Sequence, residues 1–203
     1  RKNIMKKIIL PEFDFDKVTK KISDFIVSEI TSIGYTGGII GLSGGVDSTV
    51  SAALTKKAFD DYNLIHEKKL ELIGYLMPSD VNSSKDLEDG KKVAERLGIR
   101  SEVVDIQPIV ESYGKIDFKT LDSSFERGNL MSELRALVLH RKSALEKKLV
   151  VGTGNHDEDF GVGYYTLCKC YVAFYPVISG APLVIRDGLS PLYVCLLSSA
   201  PFP

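Results

Sequence analysis

Residues 38–48 read Gly-Ile-Ile-Gly-Leu-Ser-Gly-Gly-Val-Asp-Ser, an apolar run that passes directly into a glycine-rich turn. An apolar strand without polar alternation has to be covered on both faces, the habit of a central strand in a parallel sheet. The rest of the chain up to Thr166 extends that picture. Val18, Ile22, Phe25, Ile26, Ile30 and Ile33 recur at helical spacing before Gly34, predicting a helix with a glycine stop. Asp47 or Ser48 is placed to cap a helix running through Ala58. Strands are expected over 38–42, 70–77, 101–106 and 149–153. Helices are expected over 84–97, closed by Gly98, and over 125–148. Strand–helix alternation of this kind predicts an α/β fold with a doubly wound, mostly parallel sheet and helices on both faces. Sheets of this type bind ligands beyond the carboxyl ends of their strands.

The glycine-rich turn lies at such an end. Gly41-Leu42-Ser43-Gly44-Gly45-Val46-Asp47-Ser48 follows a strand and opens a helix. Glycine permits positive φ and lets backbone N–H groups approach a ligand closely. The helix start adds unused donors and about half a positive charge. Ser43 and Ser48 add hydroxyls, so the segment forms a cradle for phosphate. It lacks the lysine of a Walker A loop and is not G-x-G-x-x-G. Instead Asp47 brings an anion into the cradle, which is repulsive to phosphate unless a metal ion lies between them. Asp47 is therefore a candidate magnesium ligand.

Composition narrows the partners. The chain has 203 residues, 44% hydrophobic and 26% charged, which excludes global disorder and suits one ordinary domain. Lys plus Arg (26) nearly balances Asp plus Glu (27), for a net charge of −1, so no overall field draws in nucleic acid or an anionic membrane. Three cysteines make no disulfide framework, and a cytoplasmic location is expected. None of the three histidines pairs with another at metal-ligand spacing. His66 and His140 read as solvated or core-edge residues, and His156 as a loop residue. Cys168-Lys169-Cys170 lacks the gap of C-x-x-C and is assigned no metal or redox role.

Several segments carry a resemblance. SGGVDS after an apolar strand resembles the pyrophosphate loop of the adenylating ATP pyrophosphatases, whose fold is adenine nucleotide alpha hydrolase-like. Three further segments are similar to the ammonia-dependent NAD synthetases. They are Met77-Pro78-Ser79 with Ser83, Ser84 and Leu97-Gly98-Ile99, then Gly128-Asn129 opening a helix, and finally Leu149-Val150-Val151-Gly152-Thr153-Gly154-Asn155 followed by Glu158 and Gly163-Tyr164-Tyr165-Thr166. The second resembles G-N-x-x-A-R-x-R-M, and the third L-V-V-G-T-G-N…E…G-Y-F-T. They occur in the family's order across residues 15–166.

The resemblance implies that ATP adenylates the carboxylate of nicotinic acid adenine dinucleotide (deamido-NAD), and that ammonia then displaces AMP to give NAD. ATP would be bound by Gly41, Leu42, Ser43, Gly44, Gly45, Val46, Asp47, Ser48 and Thr153. Mg²⁺ would be held by Asp47 and Glu158, with Asp157 or Asp159 as alternatives to the latter. No side chain is an obvious covalent nucleophile. About forty residues precede the phosphate loop, so free ammonia rather than an attached glutaminase domain is the expected nitrogen source. A homodimer is implied, with the apolar face of 125–148 (Leu130, Leu134, Leu137, Val138, Leu145) serving either the interface or the core. Other readings are a tRNA-thiolating or GMP-forming member of the superfamily, and a non-catalytic nucleotide-binding relative.

The departures are as informative. The family's first arginine after Gly-Asn, a dinucleotide contact, falls on Glu133, and only the second is kept, as Arg135. A carboxylate cannot replace a guanidinium that forks onto phosphate. Either Arg135 takes over or the substrate differs, and both residues are candidate substrate contacts. After Thr166 the family continues with Lys and G-D-G, whereas this chain reads Leu167-Cys168-Lys169-Cys170. Residues 167–203 carry three charges (Lys169, Arg186, Asp187), five of the eight prolines and all three cysteines. The run 171–185 is too short and too interrupted by Pro and Gly for a membrane span.

The division expected is a domain over 1–166 and an atypical tail over 167–203 that is not a separate domain. The run 171–185 reads either as a buried hairpin or as sequence never selected to fold, the product of a shifted or mis-joined reading frame. Under the second alternative, the other two frames of the coding DNA beyond Thr166 should encode G-D-G and a charged helical tail. Stop codons and no such motif in either frame would count against it.

Overall fold

The computed structural model describes residues 14–154. Four parallel strands form one sheet in the order β3-β2-β1-β4. They are β1 (Gly37–Gly41), β2 (Glu71–Leu76), β3 (Arg100–Val103) and β4 (Leu149–Val151), and the helices are α1 (Phe15–Ser32), α2 (Val46–Ile65), α3 (Ser84–Leu97), α4 (Gln107–Gly114), α5 (Phe118–Asp122) and α6 (Ser124–Glu146). The chain leaves β1 toward β2 and β3, then returns past β1 to add β4 on its other edge. The fold is the doubly wound α/β arrangement expected. The reversal of direction places a crevice outside the carboxyl ends of β1 and β4, where open α/β sheets take their ligands.

Side chains of β1 alternate between two cores. Ile40 joins Leu72, Leu76 and Val151 under α1, α2 and α3, where Ile22, Ile26, Ile30, Phe59 and Ala94 complete the cluster. Ile39 joins Ile73, Tyr75 and Val150 under α4 and α6, with Val110, Leu130, Met131 and Leu134. Both isoleucines are wholly buried. The helix over Val18–Ile33 is present as α1, capped by the Asp14 carboxylate on Lys17 N (3.0 Å), although Phe25 and Ile33 face solvent. The face of α6 divides. Leu130, Leu134 and Val138 pack into the core, while Leu137 and Leu145 are exposed.

Three expectations need correction. The second helix runs to Ile65 instead of ending near Ala58, because Phe59 is buried and the i,i+4 pairs Lys56–Asp60 and Lys57–Asp61 carry it onward. Its cap is Gly45, not Asp47 or Ser48, because the Ser48 hydroxyl is used in the preceding loop. Two short helices, α4 and α5, occupy 107–122, where the sequence reading assigned nothing. Expectations for His156, Glu158, Gly163–Thr166 and residues 167–203 lie outside the described residues. Among the described residues, no helix is long and apolar enough to cross a membrane.

The close approach of β1 to β2 needs a glycine at its first position. Gly37 has φ +143°, and a Cβ there would lie 1.9 Å from the Glu71 carbonyl oxygen. Gly34 also has positive φ (+72°) but open space around it. Gly34→Ala should therefore cost about 1–2 kcal/mol, the strain of a left-handed residue alone. Gly37→Ala should cost clearly more, about 3 kcal/mol or above, because backbone must also move. Urea unfolding of the two variants checks this, and equal losses would contradict it.

Candidate functional site: a phosphate cradle at the switch point

Beyond Gly41 the chain keeps one more sheet bond, from Leu42 N to the Tyr75 carbonyl (2.9 Å), and then turns away. The Leu42 side chain is buried, fitted against Gly74, where a Cβ would stand 2.4 Å from Leu42 Cδ1. Leu42 therefore offers a ligand its backbone only. The turn itself depends on Gly44, with φ +80°. Gly45 is extended at the N-cap and needs no special conformation.

Hydroxyls hold the turn in shape. Ser43 N donates to Ser48 Oγ (3.3 Å), and the two serine hydroxyls lie 3.1 Å apart. Gly45 N donates to Ser43 Oγ (3.3 Å). Ser48 Oγ (3.2 Å) and Thr49 Oγ1 (2.7 Å) both donate to the Gly45 carbonyl. The first turn of α2 adds backbone N–H groups that a helix cannot use internally, and with them the positive end of its dipole. Val46 is exposed there and Asp47 is half-buried. Extending the β1–β4 register beyond Ile40↔Val151 sets Thr153 level with Leu42, across the crevice.

Asp47 thus stands beside an anion cradle, and its carboxylate oxygens suit a hard cation such as Mg²⁺. Among the described residues, no three His, Cys, Asp or Glu side chains converge on a metal position, and Glu158 lies outside them.

A second wall is the loop after β2. Arg135 donates from Nε to the Met77 carbonyl (3.1 Å), and from one terminal nitrogen to Ser79 Oγ (3.3 Å) and Asn82 Oδ1 (2.8 Å). Arg127 pairs with Asp80, and Asp80 N donates to Gln107 Oε1 (3.1 Å). Burial alone pushes the Arg135 guanidinium below its ordinary pKa. Glu133, two residues along α6 and so about 200° around it, is exposed on another side. The structure thus does not bring Glu133 and Arg135 together. Sequence reading missed Asn82, Arg127, Asp80 and Gln107. Asn82, one residue before the helix-capping Ser83, was the only one with a local signal.

The loop runs into α3 through a capping box. Asp86 N donates to Ser83 Oγ (3.2 Å), and Ser83 N to the Asp86 carboxylate (3.1 Å). The first two turns of α3 then back the cradle. A Cβ on Gly44 would lie 2.9 Å from the Asp86 carbonyl oxygen and 3.2 Å from Gly90 N.

A family model described as NAD synthase matches residues 18–171. The NH(3)-dependent NAD(+) synthetase of Hyperthermus butylicus is 37% identical over 158 residues, covering 77% of this chain and 54% of that protein. The same enzyme of Pyrococcus horikoshii is 38% identical over 156 residues, covering 75% and 53%. The chain spans about half the length of these curated relatives. Among solved structures, the NH3-dependent NAD synthetase of Campylobacter jejuni, in complex with nitrate, superposes with TM-score 0.70 at 29% identity, covering 82% of this chain and 67% of that one. An NMN synthetase from Francisella tularensis superposes with TM-score 0.68 at 27% identity, covering 80% and 63%.

The buried Ser48 hydroxyl is the joint of the cradle. Ser48→Ala leaves Ser43 N and the Gly45 carbonyl without that partner, and should cost about 1–2 kcal/mol in urea unfolding. Amide exchange at Ser43 should rise beyond that global loss. Unchanged exchange there would show that the turn holds its shape without Ser48.

Proposed function

This chain belongs to the NAD synthase family, and on that premise we propose that it carries out ATP-dependent amidation of nicotinic acid adenine dinucleotide with ammonia. The observation that carries the reading is the cradle of Ser43–Ser48, built on the N-terminus of α2 at the crevice between β1 and β4. A substrate carboxylate oxygen attacks the α-phosphorus of ATP, and the bond to pyrophosphate breaks. Ammonia then attacks the acyl carbon, AMP leaves, and an amide remains. The protein's work in this reading is positioning and neutralising charge. Backbone N–H groups of residues 44–48, with the serine hydroxyls, take the triphosphate, and Thr153 contacts ATP from the opposite wall. Asp47 and Glu158 would hold Mg²⁺, which would supply positive charge to the leaving pyrophosphate. The same reading places the protein in the cytoplasm as a homodimer.

A second reading is favoured by one residue. Glu133 stands where the resemblance implies a dinucleotide-contacting arginine, and it is exposed on α6. A carboxylate there repels a phosphate. A substrate without the adenylate half, such as the mononucleotide, avoids that repulsion, and the NMN synthetase from Francisella tularensis shares the fold.

Pyrophosphate release from ATP tests both readings. Release dependent on deamido-NAD supports the first, and release dependent on the nicotinic acid mononucleotide supports the second. Release dependent on neither contradicts both. Asp47→Asn should leave the melting temperature near wild type while Mg²⁺-dependent ATP affinity falls about tenfold or more, roughly 1.4 kcal/mol. Metal-free ATP binding should be unchanged or slightly tighter, because repulsion is relieved. Equal affinity of the two proteins with Mg²⁺ present would remove Asp47 from the metal site.

A further inference from the structure

Arg135 is half-buried beside the site, and its partners are unusual. The ion pairs of α6 among the described residues run through Arg127, Lys142 and Glu146. Arg135 is left to neutral acceptors, namely the Met77 carbonyl, Ser79 Oγ and Asn82 Oδ1. A cation taken from water without a counter-charge needs one of two justifications. It waits for an anionic ligand, or its planar fork of donors does structural work that no other side chain can do.

The geometry favours the second. All three acceptors lie in one loop, and one atom collects most of the bonds. Asn82 Oδ1 accepts from Ser79 N (3.1 Å), Ser79 Oγ (2.9 Å) and Arg135 (2.8 Å), while Asn82 N donates to the Ser79 carbonyl (3.0 Å). This tied turn immediately precedes the Ser83 cap of α3. The Asp86 carboxyl is held below its ordinary range by the hydroxyl and N–H of Ser83, with the Asn82 side chain contributing. Asp86 is in turn the residue whose carbonyl oxygen lies where a Cβ on Gly44 would collide. A short path therefore leads from α6 to the phosphate turn: Arg135, Asn82, the capping box of Ser83 and Asp86 in the first turn of α3, Gly44.

We infer that Arg135 is a positioning residue, which sets the phosphate cradle through Asn82 and α3 rather than by touching the substrate. The inference rests on the proposed ATP reading and deepens it. A guanidinium is required because one group has to reach a backbone carbonyl and two side-chain oxygens at once. The single ammonium of lysine keeps the charge but cannot span all three.

A double-mutant cycle on ATP affinity, measured by calorimetry with Mg²⁺ well below the melting temperatures, tests this. Arg135→Gln and Asn82→Ala should each weaken ATP at least tenfold. The double variant should be no more than about twofold worse than the weaker single one, because both break the same path. Arg135→Lys should behave like Arg135→Gln. Losses that multiply to a hundredfold, or recovery with lysine, would mean that Arg135 meets the ligand directly and would overturn the inference. A lowered melting temperature with unchanged ATP affinity would overturn it too, by making the role one of fold stability only. Should Arg135→Gln not fold, Asn82→Ala decides alone: weakened ATP at a near-normal melting temperature supports the path, and unchanged affinity refutes it. Wild-type protein that binds no ATP would remove the ATP reading itself, a result separable from all of these.

Discussion

The structure depends on β1 being hydrogen-bonded along both edges and buried on both faces. Parallel neighbours on each side and a helical layer above and below leave no room for polar side chains, so Ile39 and Ile40 are wholly buried on opposite faces. Where the strand crowds its neighbours, glycine replaces the side chain, at Gly37 against the Glu71 backbone and at Gly74 beneath Leu42. The phosphate turn is the end of this strand. It inherits a fixed origin from the sheet bond at Leu42 N and a fixed exit from the first turn of α2. A loop held at both ends presents its N–H groups with little left to reorganise, which is the condition for effective electrostatic stabilisation.

The two helical layers then divide the work. On one face, α2 supplies donors and dipole to the turn, and α3 backs it through Asp86 and Gly90. On the other face, α6 reaches over the carboxyl end of β2 with two arginines, one paired with Asp80 and one bound to neutral acceptors. The loop between β2 and α3 is thereby tied to both layers. Its backbone groups have both backbone and side-chain partners: Pro78 O receives Ile106 N, Asp80 N donates to Gln107 Oε1, and Met77 O receives Arg135 Nε.

Much of this was legible in the sequence because it follows from backbone constraints. The apolar run 38–42 and the stops at Gly34 and Gly98 each have one physical solution, and the structure contains them at Gly37–Gly41 and at φ +72° and +61°. The turn was legible as a glycine-dependent passage from strand to helix, but its internal hydrogen bonds were not. Ser48 resembles a helix cap, yet its hydroxyl closes the loop behind it. Helices α4 and α5 escaped because they are short and bury little: Val110 alone is buried along α4, beside exposed Ile109 and Tyr113, and Phe118 of α5 is exposed. Periodicity carries little signal where a single position is buried. The ties of Arg127 to Asp80 and of Arg135 to Asn82 span 47 and 53 residues, and no local pattern encodes a contact at that separation.

On the proposed function, ATP phosphates sit in the Ser43–Ser48 turn at the switch point of the sheet. Backbone amide resonances followed during a titration with MgATP test this. The largest shifts should fall on Gly44, Gly45, Val46, Asp47 and Ser48, with Thr153 following at the same concentrations. Saturable shifts confined to other strand ends, with these amides unmoved, would contradict it.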